Sequence, residues 1–60
     1  MIGYNLIKCF NHKETGMRLY LWNVGQYNYE LSSLAKGFYV RYDDQDLDFV
    51  LEDIKKYINP

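Results

Sequence analysis

The clearest pattern in the chain is a stripe of apolar side chains near its end. Between Asp44 and Asn59 these side chains fall three or four residues apart, the period of an α-helix with one buried face. We therefore predict an amphipathic helix over residues 44–59, with Asp43 or Asp44 as its capping carboxylate. The predicted buried positions are Leu47, Val50, Leu51, Ile54, Tyr57 and Ile58.

The residues before this helix predict an antiparallel sheet. Apolar, aromatic and β-branched side chains concentrate in short segments separated by polar residues and glycines, a pattern typical of strands joined by hairpin turns. Residues 32–36 fit either a strand or a helical turn. The predicted strands are Tyr4–Phe10, Met17–Val24, Tyr27–Leu31 and Phe38–Tyr42.

The predicted fold class is α+β. One small domain over residues 1–60 would contain an antiparallel meander of three to four strands at about 4–42, with one C-terminal amphipathic helix packed on one face of the sheet. Alternation along the strands assigns Leu19, Leu21 and Val40 to the face under the helix. The opposite face would carry Arg18, Tyr20, Trp22, Tyr39 and Arg41. The first strand has apolar side chains at both parities, so its pattern assigns no face.

Three interpretations of this opposite face follow from its residue types. Tyrosine, tryptophan and arginine are enriched at the centres of protein interfaces. Aromatic rings with guanidinium groups nearby also stack on unpaired bases while the cations bind phosphates. Cross-strand aromatic pairs can also stabilise a half-exposed sheet without any ligand. We favour a protein interface, which includes pairing with a second copy of the chain, and keep single-stranded nucleic-acid binding as the alternative function.

Composition supports the preference for protein binding. The 60 residues include seven Tyr, three Phe and one Trp, more aromatic surface than one small core is expected to hide. The formal net charge is −1, from eight acidic and seven basic residues, which does not favour a general nucleic-acid binder. A domain of this size is marginally stable alone, so we also expect self-association, with a homodimer as the simplest form.

A second candidate surface lies on the predicted helix. Phe49 falls away from the apolar stripe and among acidic residues, so its ring would suit a basic surface on a partner protein. Alternatively, residues 26–36 or the alkyl stem of Lys56 could cover the ring, and the carboxylates could serve only the helix start. The candidate contact residues here are Asp48, Phe49, Glu52 and Asp53.

Neither catalytic nor metal-binding chemistry is expected. Cys9 is the sole cysteine and His12 the sole histidine, which excludes an internal disulfide and a closed Cys/His zinc site within one chain. Asp44, Asp46 and Asp48 imitate the start of a calcium loop, but its glycine position is occupied by phenylalanine. We therefore predict no enzyme activity, no cofactor and no metal, and we expect Cys9 to be a packing residue and His12 a turn residue.

No signal peptide, myristoylation site or membrane span is expected, which predicts a cytoplasmic location in the producing or a host cell. The order of a four-stranded meander and one helix resembles single-stranded-DNA-binding folds such as the Pur-like domains, and this resemblance implies nucleic-acid binding on the sheet. The small size and the aromatic and acidic surface resemble accessory proteins of phages and mobile elements, many of which occlude a host enzyme. We predict a non-enzymatic protein-binding module of this inhibitor type.

Overall fold

The sheet is a four-stranded antiparallel meander in which each strand pairs with the next one along the chain. A computed structural model describes residues 3–35 and 37–59. A helix, α1 (Leu47–Asp53), follows the sheet and continues into one 3-10 turn, Ile54–Lys56. The predicted class, a small α+β fold with an antiparallel meander and a C-terminal helix, is confirmed. The strands are β1 (Asn5–Asn11), β2 (Arg18–Gly25), β3 (Asn28–Ser32) and β4 (Tyr39–Asp43).

The core is one layer of side chains between the sheet and the helical segment. Leu19 and Leu21 of β2 and Leu31 of β3 are fully buried there. Val50 and Ile54 pack against them from the helical side and are fully buried as well. The predicted sheet face and the predicted apolar stripe of the helix therefore pack against each other, as expected. The buried set is completed by Tyr29, Tyr42 and Ile58.

An irregularity in β1 explains why its sequence pattern assigns no face. Leu6 lies opposite Trp22, whereas Lys8 lies opposite Leu21, so the register shifts at Ile7. A β-bulge of this kind inserts one residue and switches the alternation for the rest of the strand. No single alternating pattern can therefore describe β1.

The helix begins later than predicted. Asp44 has a left-handed backbone (φ 57°), a conformation incompatible with a right-handed helix, and the first helical residue is Leu47. The N-cap is Asp46, whose side chain accepts a hydrogen bond from the Phe49 N–H over 2.8 Å. The prediction that Asp43 or Asp44 caps the helix is therefore wrong.

The helical segment also ends earlier than predicted. After the 3-10 turn, Ile58 forms an isolated antiparallel bridge with His12, just beyond β1. The Asn59 N–H donates to the Asn11 carbonyl over 2.9 Å. The predicted helix end near residue 59 is therefore wrong, because the Tyr57 carbonyl and the Asn59 N–H pair with Lys13 and Asn11 instead of extending the helix. Ile58 still reaches the core, from the bridge.

The first two hairpin turns place different residue types in a left-handed conformation. Gly16 has a φ of 75° in the β1–β2 turn, a left-handed conformation that glycine adopts without a steric penalty. In the β2–β3 turn the left-handed residue is Tyr27 (φ 59°). Ser32 ends β3 and residues 33–35 are irregular, while residue 36 lies outside the described residues. Within the described part of the chain, no helix has the length and apolar character needed to cross a membrane.

A pair of leucines tests the described core. We expect Leu31→Ala to lower the free energy of unfolding by about 2–5 kcal/mol, because truncation of a fully buried leucine leaves a cavity. Leu34 is 79% exposed, so Leu34→Ala should change that free energy by less than about 0.5 kcal/mol. Urea denaturation of both variants measures the difference. Equal destabilisation would contradict the core as described.

The observed cap predicts which aspartate stabilises the helix. We expect Asp46→Ala to lower the free energy of unfolding by about 1 kcal/mol, because it removes the acceptor of the Phe49 N–H. Asp44→Gly should shift it by less than about 0.5 kcal/mol, since glycine tolerates the positive φ of that position. Thermal or urea denaturation can rank the two variants, and an unchanged free energy of unfolding in Asp46→Ala would contradict Asp46 as the cap.

Candidate protein-binding surfaces

The sheet face away from α1 carries all five residues predicted for the first surface. β2 contributes Arg18, Tyr20 and Trp22, and β4 contributes Tyr39 and Arg41. Tyr39 is 59% exposed, whereas Tyr20 and Trp22 are half-buried. We call this surface, together with the side chains of β1 and β3 that share it, the open face.

One cross-strand row of the open face begins at the β1 edge. It starts with Leu6, continues through Trp22 and Glu30, and ends at Arg41. Leu6 is 48% exposed even though it is a leucine in a strand. The ring of Tyr4 lies 5.9 Å from that of Trp22, centroid to centroid, and is itself exposed. The apolar surface therefore extends beyond the residues named from the sequence.

A second row runs parallel to the first. Cys9 lies opposite Tyr20, Tyr20 opposite Ser32, and Ser32 opposite Tyr39. Tyr20 stacks with Trp22 of the first row, with ring centroids 6.3 Å apart and ring planes at 29°. The short side chain of Ser32 therefore lies between Tyr20 and Tyr39 in this row.

Glu30 is the residue of the open face that the sequence analysis missed. It is only 7% exposed, although it lies on the face that no helix covers. The Tyr39 hydroxyl donates to Oε2 of Glu30 over 3.1 Å, and Nη1 of Arg41 lies 3.7 Å from the same oxygen. A single glutamate within a strand forms no motif. Its burial depends on side chains of neighbouring strands, so only the register identifies it.

Acceptors within the chain hold both arginines of the open face. Nε of Arg41 donates to Oδ1 of Asp43 over 2.9 Å. Nε of Arg18 donates to the amide oxygen of Asn11 over 3.2 Å. The guanidinium group of Arg41 therefore lies close to two carboxylates, those of Glu30 and Asp43. This charge balance disfavours the binding of phosphates at that end of the face.

The second predicted surface, on α1, is partly available. Phe49 is 48% exposed, and its ring meets that of Tyr42 edge-on with centroids 6.5 Å apart. Lys56, considered above as a cover for Phe49, directs its ammonium group to the ring of Tyr57, 5.3 Å from the centroid. Asp48, next to Phe49, is exposed. Phe49 and Asp48 therefore remain open to a partner.

The other two predicted carboxylates of α1 have partners within the chain. Nζ of Lys55 lies 3.0 Å from Oε1 of Glu52, an exposed pair of small energetic weight. Asp53 accepts a hydrogen bond from the Tyr42 hydroxyl over 2.6 Å and has Nζ of Lys56 at 3.3 Å. Asp53 therefore helps to hold the helix against β4, which leaves it less available as part of an acidic contact surface.

The hydrogen bond between Tyr42 and Asp53 shifts two pKa values in opposite directions. Burial of the phenol, together with the bond to Asp53, raises the pKa of Tyr42. The same bond, with help from Lys56, lowers the pKa of Asp53. The contribution of Asp53 to stability is therefore present above the usual carboxyl pKa and is lost as pH falls. That of Tyr42 is present below its usual pKa of 10.0 and is lost as pH rises above that value.

Cys9 and His12 lie in different structural settings. Cys9 is half-buried on the open face. Nδ1 of His12 accepts hydrogen bonds from the backbone N–H groups of Glu14 and Thr15 over 3.1 and 3.3 Å, so His12 stabilises the β1–β2 turn. Residues 3–35 and 37–59 contain no group of three or more His, Cys, Asp or Glu side chains placed to hold a metal ion.

Removal of one hydroxyl tests the bond between β4 and α1. We expect Tyr42→Phe to raise the pKa of Asp53 toward its usual value of 3.8 and to lower the free energy of unfolding by about 1 kcal/mol. Titration of the Asp53 carboxyl group by NMR measures the first effect. Tyr27→Phe, at an exposed turn residue, is the control and should change neither quantity. An unchanged Asp53 titration in Tyr42→Phe would contradict the bond.

Comparisons of the chain with protein-family models, with curated proteins and with solved structures found no match.

Proposed function

We propose that this protein is a non-enzymatic protein-binding module and that the open face is its contact surface. One observation carries the proposal: exposed Tyr4 and Leu6 adjoin the half-buried ring of Trp22, which stacks on Tyr20, on a face that the helix does not cover. Exposed Tyr39 lies on the same face, across Ser32 from Tyr20. Contiguous apolar surface of this kind is uncommon on proteins that act alone and is typical of interaction sites.

The rings of this face are held in place before any partner arrives. Trp22 contacts the ring of Tyr20 on one side and that of Tyr4 on the other. The hydroxyl of Tyr39 is fixed by its bond to Glu30. Aromatic side chains that are already ordered lose little conformational entropy on binding, so more of their contact energy contributes to affinity.

The open face is a better candidate than the surface around Phe49. The helical surface offers one half-exposed ring, and the carboxylate of Asp53 beside it is engaged by Tyr42. The open face offers several adjoining side chains on a rigid sheet. A module with such a face can act by covering a functional surface of its partner, and we propose this occluding mode of action.

Single-stranded nucleic acid is the second candidate ligand. The stacked pair of Tyr20 and Trp22 favours it, because unpaired bases stack on such rings. The carboxylates of Glu30 and Asp43 weigh against it, since they offset the one guanidinium beside them. We expect no quenching of Trp22 fluorescence by oligonucleotides at low salt. Strong quenching that weakens steeply with added salt would favour nucleic acid instead.

Matched surface substitutions test the proposed face. We expect Tyr39→Ser and Leu6→Ser to weaken binding of the natural partner at least about tenfold, because exposed apolar anchors dominate interface energies. The controls are Tyr27→Asn and Leu34→Ser, which remove comparable exposed side chains elsewhere and should change affinity less than about twofold. The partner is first captured from extract of the source cell and purified, and dissociation constants are then measured by calorimetry.

The oligomeric state decides which partner uses the face. Light scattering of the wild type gives the mass in solution. A monomer leaves the face free for a different protein. A dimer that Leu6→Ser dissociates and Leu34→Ser does not would assign the face to a second copy of the chain. If neither Leu6→Ser nor Tyr39→Ser changed binding or mass, the proposed contact surface would be wrong.

A further inference from the structure

Glu30 is the only charged side chain that is buried among residues 3–35 and 37–59. It lies within the open face, so the inference drawn from it rests on the proposed function. A partner that covers this face would remove the remaining water around the carboxylate. Burying a charge without a counter-charge or full hydrogen bonding is strongly unfavourable. The partner must therefore supply a group that compensates for Glu30.

The two oxygens of the Glu30 carboxylate differ in their contacts with the described residues. Both Tyr39 and Arg41 contact Oε2, and none of the described residues donates a hydrogen bond to Oε1. In the described part of the chain, no fully buried side-chain nitrogen or oxygen lacks a hydrogen-bond partner. The side chain of Glu30 keeps 9% of its surface exposed, so its carboxylate is not fully sealed from solvent. An incoming donor can approach the carboxylate from the solvent.

The guanidinium group of Arg41 does not fully neutralise Glu30. Its Nη1 lies 3.7 Å from Oε2, too far for a hydrogen bond, whereas its Nε bonds to Asp43 at 2.9 Å. One positive charge is thus shared between two negative charges. The local net charge is −1, from one arginine and two carboxylates. This end of the open face therefore attracts a cation.

The position above Ser32 on the open face lies beside Glu30, and we call it the slot. Tyr20 and Tyr39 lie opposite Ser32 on its two sides. Two strand spacings separate their backbones by about 9–10 Å. Because the side chain of Ser32 is short, this backbone spacing is sufficient for a flat group between the two side chains. Ser32 and Glu30 project from the same face of β3, so the slot lies next to the carboxylate.

We propose that Glu30 anchors an arginine side chain of the partner protein, with the guanidinium group between Tyr20 and Tyr39 and donating to Oε1 of Glu30. A guanidinium group is planar, stacks on aromatic rings and is less strongly hydrated than an ammonium group. It also donates hydrogen bonds in the fixed geometry that a carboxylate accepts. Two flanking aromatic residues and a carboxylate oxygen with no donor among the described residues favour arginine over lysine. The kind of partner that fits is one with an exposed arginine in a neutral or basic setting.

The experiment uses the free protein and two small probes of equal shape. N-acetyl-arginine amide and N-acetyl-citrulline amide are titrated separately into the labelled full chain, and shifts of the Trp22 indole and Glu30 signals are followed by NMR. We expect saturable shifts with arginine, with a dissociation constant on the order of millimolar. Citrulline, which has no charge, should bind at least about tenfold more weakly.

Two glutamates provide the matched variants. Glu30→Gln should weaken binding of the arginine probe at least about tenfold, while Glu52→Gln, at an exposed helix position, should leave it unchanged. Amide spectra confirm that both variants are folded. If Glu30→Gln unfolds the chain, Ser32→Leu fills the slot without removing the charge and should abolish the shifts. Equal binding of arginine and citrulline, or shifts centred on α1, would overturn the inference.

The outcomes also separate this inference from the proposed function. A partner that Tyr39→Ser and Leu6→Ser release but Glu30→Gln does not would overturn the arginine anchor and leave the contact face in place. A partner indifferent to all three substitutions would overturn both. A dimer that Glu30→Gln and Arg18→Gln both dissociate would show that a second copy fills the slot, and it would overturn the assignment to a different protein.

Discussion

The burial of three leucines of the sheet beneath one short helical segment is the interaction on which the structure depends. Val50 and Ile54 complete that layer, and α1 has only seven residues. A segment of this size can cover one face of a four-stranded sheet, and it leaves the second face to the side chains of the strands themselves. Aromatic side chains are large enough to shelter neighbouring backbone there while they keep part of their surface exposed. The core and the open face therefore have the same cause: the helical segment is long enough to cover only one face of the sheet.

The fold was predictable because its elements rest on local patterns. The apolar stripe and the alternation in β2 each repeat with the period of their element, and turn residues mark the ends of the strands. The predictions are wrong where contacts between residues distant in sequence determine the local structure. Asp44 leaves the helix because its N–H donates to Asn28, 3.2 Å away in the β2–β3 turn region. Ile58 leaves it to pair with His12. Neither partner can be inferred from the residues around the helix.

The candidate surface was predictable in part for the same reason. Parity along β2 and β4 placed Tyr20, Trp22 and Tyr39 on one face without knowledge of the register. The burial of Glu30 could not be predicted from parity alone, because it arises from side chains on both neighbouring strands. Asp53 is the opposite case. Its position on the helix indicated a free carboxylate, but the hydroxyl of Tyr42 in β4 donates a hydrogen bond to it. Residue type and spacing identify a face, whereas the strand register identifies which side chains of that face already have partners within the chain.

The bulge at Ile7 has a consequence for how copies of the chain can meet. Edge strands with regular, unpaired backbone groups invite extension of the sheet by another strand, and this is a common route to aggregation. In β1 the shift between Leu6 and Lys8 breaks the regular spacing of those groups, and beyond it the Asn11 carbonyl already accepts from Asn59. Continuous strand addition along this border is thereby hindered. Along this border, any contact with another chain is left to side chains, whose shape and charge can discriminate between partners as backbone pairing cannot.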